Sequence, residues 1–185
     1  PVYNLLGGPV RKKIRVYANG WYYKMTEPAD YARAAEKCIE MGFTAIKMDP
    51  VSGPWRNYLS RAEERKSVEV LRAVREAVGP DIDILLDLHR RLSPMHAIRL
   101  ADLYEEFEPY YYEEPCMWEN VEALADIKAS IRLPVVTGEA IYAKTGFRPI
   151  LQHNAADIIN PDVASCGGIL ELKEIAAMAE PFFVA

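Results

Sequence analysis

Three carboxylates recur at a single interval: Asp87, Glu113 and Glu139 stand 26 residues apart at each step. Each closes a short apolar run: Ile84-Leu85-Leu86, Tyr110-Tyr111-Tyr112 and Pro134-Val135-Val136. Such runs are too short for independent helices and fit strands buried on both faces. The interval has room for one strand, one loop and one helix. The chain is therefore constrained to bring three acids to the ends of three successive strands.

The remaining punctuation fits that repeat. Ile14 to Ala18 reads as a short first strand closed by an Asn19-Gly20 turn. Thr26 can cap a helix from Pro28, whose apolar stripe is Tyr31, Ala34, Ala35, Cys38, Ile39 and Met41, and Gly42 ends it. Phe43 to Met48 is a second strand, running out through Lys47-Met48-Asp49-Pro50. A loop with Gly53-Pro54-Trp55 leads to Ser60, a cap for a helix with Val68, Leu71, Val74 and Val78 inward. The third strand carries Asp87 and His89, and Ser93-Pro94 opens the next helix. The fourth strand ends at Glu113, a helix covers Val121 to Ser130, and the fifth strand ends at Glu139. A helix over Phe147 to Gln152 precedes a sixth strand, Asp157 to Asp162. Gly167-Gly168 opens a last helix to Ala179, and Phe182 to Ala185 begins a seventh strand.

Strict alternation of short strands and helices predicts parallel strands joined by right-handed crossovers. A doubly wound sheet competes, but it gathers its chemistry at one switch point. Polar residues here end the second to sixth strands in turn, as in an α/β chain of the (β/α)8 TIM-type barrel. Six strand–helix units and part of a seventh make the barrel incomplete. Pro1 without a methionine and an apolar Phe182-Phe183-Val184-Ala185 end read as cut termini, so residues 1–185 are expected to be part of a longer protein. Open strand edges on such a piece should associate with another copy or aggregate.

With 185 residues, half of them hydrophobic, the chain can bury one sizeable core. A net charge of -5 argues against a nucleic-acid partner or an anionic membrane surface. No apolar run is long enough to span a membrane. Cys38, Cys116 and Cys166 include no CxxC spacing, which fits reduced thiols in the cytoplasm.

Carboxylates are hard oxygen ligands that suit Mg²⁺, and three of them leave coordination positions for a substrate. The competing reading makes each acid a helix cap or a partner for an exposed lysine. It suits any one of them better than all three, because like charges converging in a barrel mouth repel unless a cation neutralises them. Strand alternation puts His89 on the side of Asp87, though a lone histidine is more often structural. Lys47 and Asp49 share a face in the same way, with Lys47 placed to pair with an anionic group. Asp162 either belongs to this site or caps the helix after Gly167-Gly168. His96 and His153 fall on helices and are given no chemistry. Arg90 and Arg91 follow the third strand, where either could reach the distal end of a substrate, but a loop arginine is more often solvated and both are left off the site.

Taken together, Tyr17-Ala18-Asn19-Gly20-Trp21, Lys47-Met48-Asp49, Asp87-Leu88-His89, Glu113-Glu114-Pro115, Gly138-Glu139 and Asn160-Pro161-Asp162 before Gly167-Gly168 carry a resemblance. The chain resembles the barrel domain of the enolase superfamily, in the group with mandelate racemase, muconate lactonizing enzymes and acid-sugar dehydratases. The resemblance implies that Asp87, Glu113 and Glu139 bind Mg²⁺. It implies that His89 is the general acid, as in galactonate-dehydratase-type enzymes, and that Asp162 orients a base histidine after the seventh strand. That histidine would lie beyond Ala185, and an N-terminal capping domain would precede Pro1. Racemases of the group carry Lys-x-Lys on the second strand, where this chain has Lys47 and then Asp49.

These residues permit a hydro-lyase of carbohydrate acid catabolism acting on a small acid sugar of the galactonate or gluconate type. Mg²⁺ would stabilise an enediolate as the α-proton leaves, Lys47 would add positive charge, and Asp49 would contact substrate. His89 would protonate the departing β-hydroxyl, leaving a 2-keto-3-deoxy acid. The expected assembly is a homo-oligomer. Two alternatives stand: a racemase or epimerase of a 2-hydroxy acid on the same scaffold, or a piece without catalysis. The 185 residues alone are expected to be inactive, because the base lies outside them.

Overall fold

A computed structural model of the chain describes residues 1–51 and 58–185. The loop expected around Gly53-Pro54-Trp55 lies outside the described residues. Five strands, β1 (Ala45–Met48), β2 (Asp83–Asp87), β3 (Tyr111–Glu113), β4 (Val135–Thr137) and β5 (Ile158–Ile159), lie side by side in chain order. Every pair is parallel. After a short helical turn, α1 (Val2–Leu5), the crossovers and flanks are α2 (Pro28–Glu40), α3 (Arg61–Val78), α4 (Pro94–Tyr104), α5 (Val121–Ser130), α6 (Ala143–Gln152) and α7 (Ile169–Ala179). The result is an incomplete (β/α)8-type barrel. No helix among the described residues is long and apolar enough to cross a membrane.

Strand alternation divides the apolar residues between two faces. Ile46, Met48, Ile84, Leu86, Tyr112 and Val135 belong to the large core that also takes in Leu71, Val74, Leu100, Leu124 and Ile150 from the helices. Each such side chain contributes about 1.5–3 kcal/mol on burial. Ala45, Leu85, Tyr111 and Val136 form a smaller cluster on the opposite face, with Ile158 against it. Lys47, Asp87 and Glu113 each lie two residues beyond a member of that smaller cluster. They form the next layer, towards the strand C-termini. Polar chemistry therefore sits on an apolar floor at the end of the sheet where such barrels carry their sites.

The helix signals act unequally. Ser60 makes the expected cap as a full capping box: its hydroxyl accepts from the Glu63 N–H while the Glu63 carboxylate accepts from the Ser60 N–H at 2.8 Å. Thr26 does not cap α2. Glu27 holds the cap position without a side-chain bond, and Pro28 starts the helix. α5 keeps its expected bounds, whereas α6 begins at Ala143, ahead of the expected Phe147.

Both outer strands differ from expectation. From the Ile14–Ala18 stretch only Ala18 joins the sheet, donating to Ala45 O at 3.0 Å and accepting from Lys47 N at 2.8 Å. Ile14 and Val16 are exposed, so no apolar contact holds the rest of that stretch extended. At the other edge Glu180–Phe182 is a 3-10 turn, and Phe183 takes a left-handed φ of 56° with its ring in solvent. From that stretch only Ala185 pairs alongside β5, accepting from Ile159 N at 2.8 Å and donating to Asp157 O at 3.1 Å. Single residues thus hold the places where full strands were expected. β5 is shorter than Asp157–Asp162 because Pro161 has no N–H to donate and the chain turns at Asp162.

Candidate functional site

Asp87 and Glu113 end adjacent strands and are register partners, so the two carboxylates leave the sheet side by side. Glu139 reaches them differently. β4 stops at Thr137, and Gly138 carries the chain on with a φ of 145°. A Cβ at Gly138 would meet the Asn160 backbone at 3.0 Å, so the close approach of β4 and β5 requires glycine. One oxygen each from Asp87, Glu113 and Glu139 then lies within 4.8 Å of the others. Asp87 and Glu113 are buried and Glu139 is half-buried.

Lys47 stands between the two buried acids, its Nζ 2.9 Å from Asp87 Oδ2 and 2.6 Å from Glu113 Oε2. Burial pulls the ammonium down, but Glu113 and then Asp87 outweigh it and hold the lysine above its ordinary value. It remains charged. One cation does not neutralise two buried acids: burial, then the Asp87 charge, pushes Glu113 up, and Lys47 offsets only part of this. Asn160 Nδ2 donates to Glu113 Oε1 at 2.6 Å and fixes that carboxylate further.

His89 is beside Asp87, as expected, for a different reason. β2 ends at Asp87, and the chain leaves it in a left-handed turn with φ of 51° at His89 and 60° at Arg90. The His89 N–H donates to Asp87 Oδ1 at 3.1 Å. The ring's Nδ1 lies 3.2 Å from Asp49 Oδ2 and 3.5 Å from Asp87 Oδ1. The close contact with Asp49 holds the imidazole above its ordinary value against the opposing effect of burial, and the Asp87 charge assists.

Asp49, expected to contact substrate, has protein partners on both oxygens. Oδ1 accepts from Val51 N at 2.9 Å, and Oδ2 receives Arg91 as well as facing His89. Asp162 stands apart from the other candidates. It is exposed in the turn after β5, where it accepts from Ala164 N at 2.8 Å and from the Ser165 hydroxyl at 3.4 Å. It caps that turn rather than α7.

Arg90 and Arg91, left off the site as loop arginines, both pair with its acids. Arg90 pairs with Glu139 and lies 3.6 Å from Glu114 Oε2, while Arg91 joins Asp49 to Val51 O. Their position directly after a strand that ends in an acid was the available signal. Glu114 and Asn160 were also missed. Glu114 is fully buried, pushed up by that burial, and accepts from Thr137 Oγ1 and from Gly138 N at 2.9 Å. Tyr22 borders the same cluster, its hydroxyl pushed up to about 12 by burial and by the Asp49 and Asp87 charges.

Among the described residues, five carboxylates (Asp49, Asp87, Glu113, Glu114 and Glu139) meet three permanent cations, Lys47, Arg90 and Arg91. The surplus is negative and centres on the three converging acids. Their all-oxygen donor set, with one member facing solvent, fits a hard divalent ion that keeps some water or substrate ligands.

A family described as enolase C-terminal domain-like matches residues 30–185. D-gluconate/D-galactonate dehydratase of Picrophilus torridus is 38% identical over 185 residues, covering 98% of this chain and 46% of that protein. D-gluconate dehydratase of Thermoproteus tenax is 35% identical, covering 100% of this chain and 37% of that protein. In solved structures, a member of the enolase superfamily from Salmonella Typhimurium superposes with a TM-score of 0.95 at 35% identity, covering 99% of this chain and 52% of that one. A mandelate racemase/muconate lactonizing enzyme-like protein from Roseovarius gives 0.91 at 35% identity, covering 100% and 49%. The chain spans about half the length of these proteins, or less. With the sheet, the strand-end acids and these matches in agreement, the chain belongs to the enolase C-terminal domain-like family.

Proposed function

We propose that the protein is a Mg²⁺-dependent acid-sugar dehydratase. It would remove the α-proton of a sugar acid and expel the β-hydroxyl as water, giving a 2-keto-3-deoxy acid. The observation that carries this reading is the convergence of Asp87, Glu113 and Glu139 within 4.8 Å, with the His89 ring 3.5 Å from Asp87. Relatives named D-gluconate, D-galactonate and D-xylonate dehydratase, at 32% to 38% identity, support the substrate class.

Asp87, Glu113 and Glu139 would hold the ion. When bound, it supplies the positive charge that makes the α-proton of a carboxylate substrate acidic enough to remove near neutral pH. Lys47, kept charged by its two acids, adds positive potential on the same side. His89 delivers a proton to the leaving hydroxyl. From the family resemblance we assign Asp162, exposed in the turn three residues past β5, to orienting the base that takes the α-proton.

The test uses the complete protein with Mg²⁺ and D-gluconate, D-galactonate or D-xylonate. Formation of a 2-keto-3-deoxy acid is expected from at least one of them. His89→Asn should abolish loss of water yet leave exchange of the α-proton with D2O, followed by NMR. A complete protein that neither dehydrates nor exchanges any sugar acid would remove this function.

A further inference from the structure

We propose that Asp49 is a positioning residue for His89: it holds the imidazole by Nδ1 and leaves Nε2 as the nitrogen that delivers the proton. This assignment rests on the dehydratase reading for its consequence, but its geometry stands independently. Asp49 lies one residue past the end of β1 and is only 8% exposed. Both of its oxygens already have protein partners, Val51 N on Oδ1 and Arg91 with the His89 ring on Oδ2. Asp49 therefore acts on the histidine.

The ring's orientation follows from donor and acceptor chemistry. Nδ1 faces Asp49 Oδ2 at 3.2 Å and Asp87 Oδ1 at 3.5 Å. An ionised carboxylate only accepts, so Nδ1 carries a hydrogen. The transferable proton is then on Nε2. As the β-carbon–oxygen bond breaks, its electron pair goes to oxygen and the Nε2 proton completes water. The Nδ1 hydrogen stays on the ring, facing Asp49 throughout.

Asp87 is poorly suited to this task. Its Oδ2 is 2.9 Å from Lys47 Nζ, and it is one of the three converging acids, so its charge is shared. Asp49 is outside that trio. It has its own lock, because Arg91 bridges Asp49 and Val51 O at 2.8 Å and ties the end of β1 to the turn after β2. Histidine and arginine reach the same aspartate from positions 89 and 91 of one left-handed turn.

The experiment compares Asp49→Asn and Arg91→Met with the unvaried complete protein. Histidine tautomers are read by 15N NMR, and dehydration and α-proton exchange are followed with Mg²⁺ present. The unvaried protein should show Nδ1-protonated His89, and Asp49→Asn should lose that preference because its amide can turn a donor to the ring. Dehydration kcat should fall roughly 100-fold in Asp49→Asn, as expected when an orienting carboxylate is lost. KM and exchange should stay within about twofold. Arg91→Met should shift all readouts in the same direction but less, which serves if Asp49→Asn folds poorly. A neutral His89 that carries its hydrogen on Nε2 instead of Nδ1 in the unvaried protein overturns the proposal, and so does a parallel fall of dehydration and exchange. If no sugar acid reacts, the dehydratase reading fails while the tautomer comparison still decides the positioning.

Discussion

Lys47 Nζ lies 2.6 Å from Glu113 Oε2, and both side chains are buried. This ion pair is the site's internal counterweight, and its removal should be felt throughout the chain. Lys47→Met leaves Asp87 and Glu113 facing each other without their shared cation. Loss of one partner from a buried pair costs about 3–5 kcal/mol. Urea unfolding should show a loss of that order, and Mg²⁺ should restore part of it. A loss below about 1 kcal/mol would mean that solvent already screens the pair.

Metal affinity should depend on each converging acid. Glu113→Gln and Glu139→Gln are each expected to weaken Mg²⁺ binding at least about tenfold by calorimetry, the lower bound for altering even an outer partner of a metal site. Because the ion binds only the folded protein, saturating Mg²⁺ should raise the melting temperature, and a chelator should reverse this. Unchanged affinity in both variants would remove the metal site.

Sequence carried the repeat and most of the acid layer, for a physical reason. A side chain two residues beyond an inward strand residue must share that residue's face, and this parity placed Lys47, Asp87 and Glu113. Parity failed where the chain was no longer a strand. His89 comes beside Asp87 through a left-handed turn, and Glu139 reaches the other two acids only because Gly138 bends the chain past the end of β4. Arg90 and Arg91 follow a strand that ends in an acid, but side-chain length and turn geometry, which spacing does not give, decide whether a guanidinium meets that acid. The edge stretches 14–18 and 182–185 had strand-like composition, but most of their apolar side chains lie in solvent. Composition therefore could not fix their pairing.

The cysteines should be silent in the folded state. Cys38, Cys116 and Cys166 are all buried, and burial, with Glu114 and Glu119 adding, pushes the Cys116 thiol up to about 12. A charged thiol reagent at pH 8 should label none of the three in the native protein and all three in urea. The folded value of Cys116 lies above the ordinary 9.0, so the protonated thiol favours the folded state. That contribution is complete below about pH 9 and is lost as pH rises towards about 12. Cys116→Ala should therefore lose less stability than the unvaried protein between pH 8 and pH 11, measured by denaturant titration. Equal losses would show that the thiol reaches solvent.

Gly138 offers the sharpest test of how the backbone builds the site. Its φ of 145° is left to glycine, and an added Cβ would stand 3.0 Å from Asn160 N and 3.1 Å from Asn160 Oδ1. The Gly138 N–H also donates to Glu114 Oε1 at 2.9 Å, so the residue cannot retreat without uncovering a buried acid. Gly138→Ala must then push Asn160, which holds Glu113 through its 2.6 Å bond. Backbone strain of this kind costs about 1–3 kcal/mol. Displacing Asn160 should lower Mg²⁺ affinity about 10- to 100-fold, as for other partners that orient a ligand. Asn160→Ala should reproduce the affinity loss with a smaller stability loss, since it removes the hydrogen bond without the clash. The double variant should bind Mg²⁺ no more weakly than Gly138→Ala alone, because both changes act through one bond to Glu113. Additive losses of affinity would show that Gly138 acts on Glu139 by a separate route.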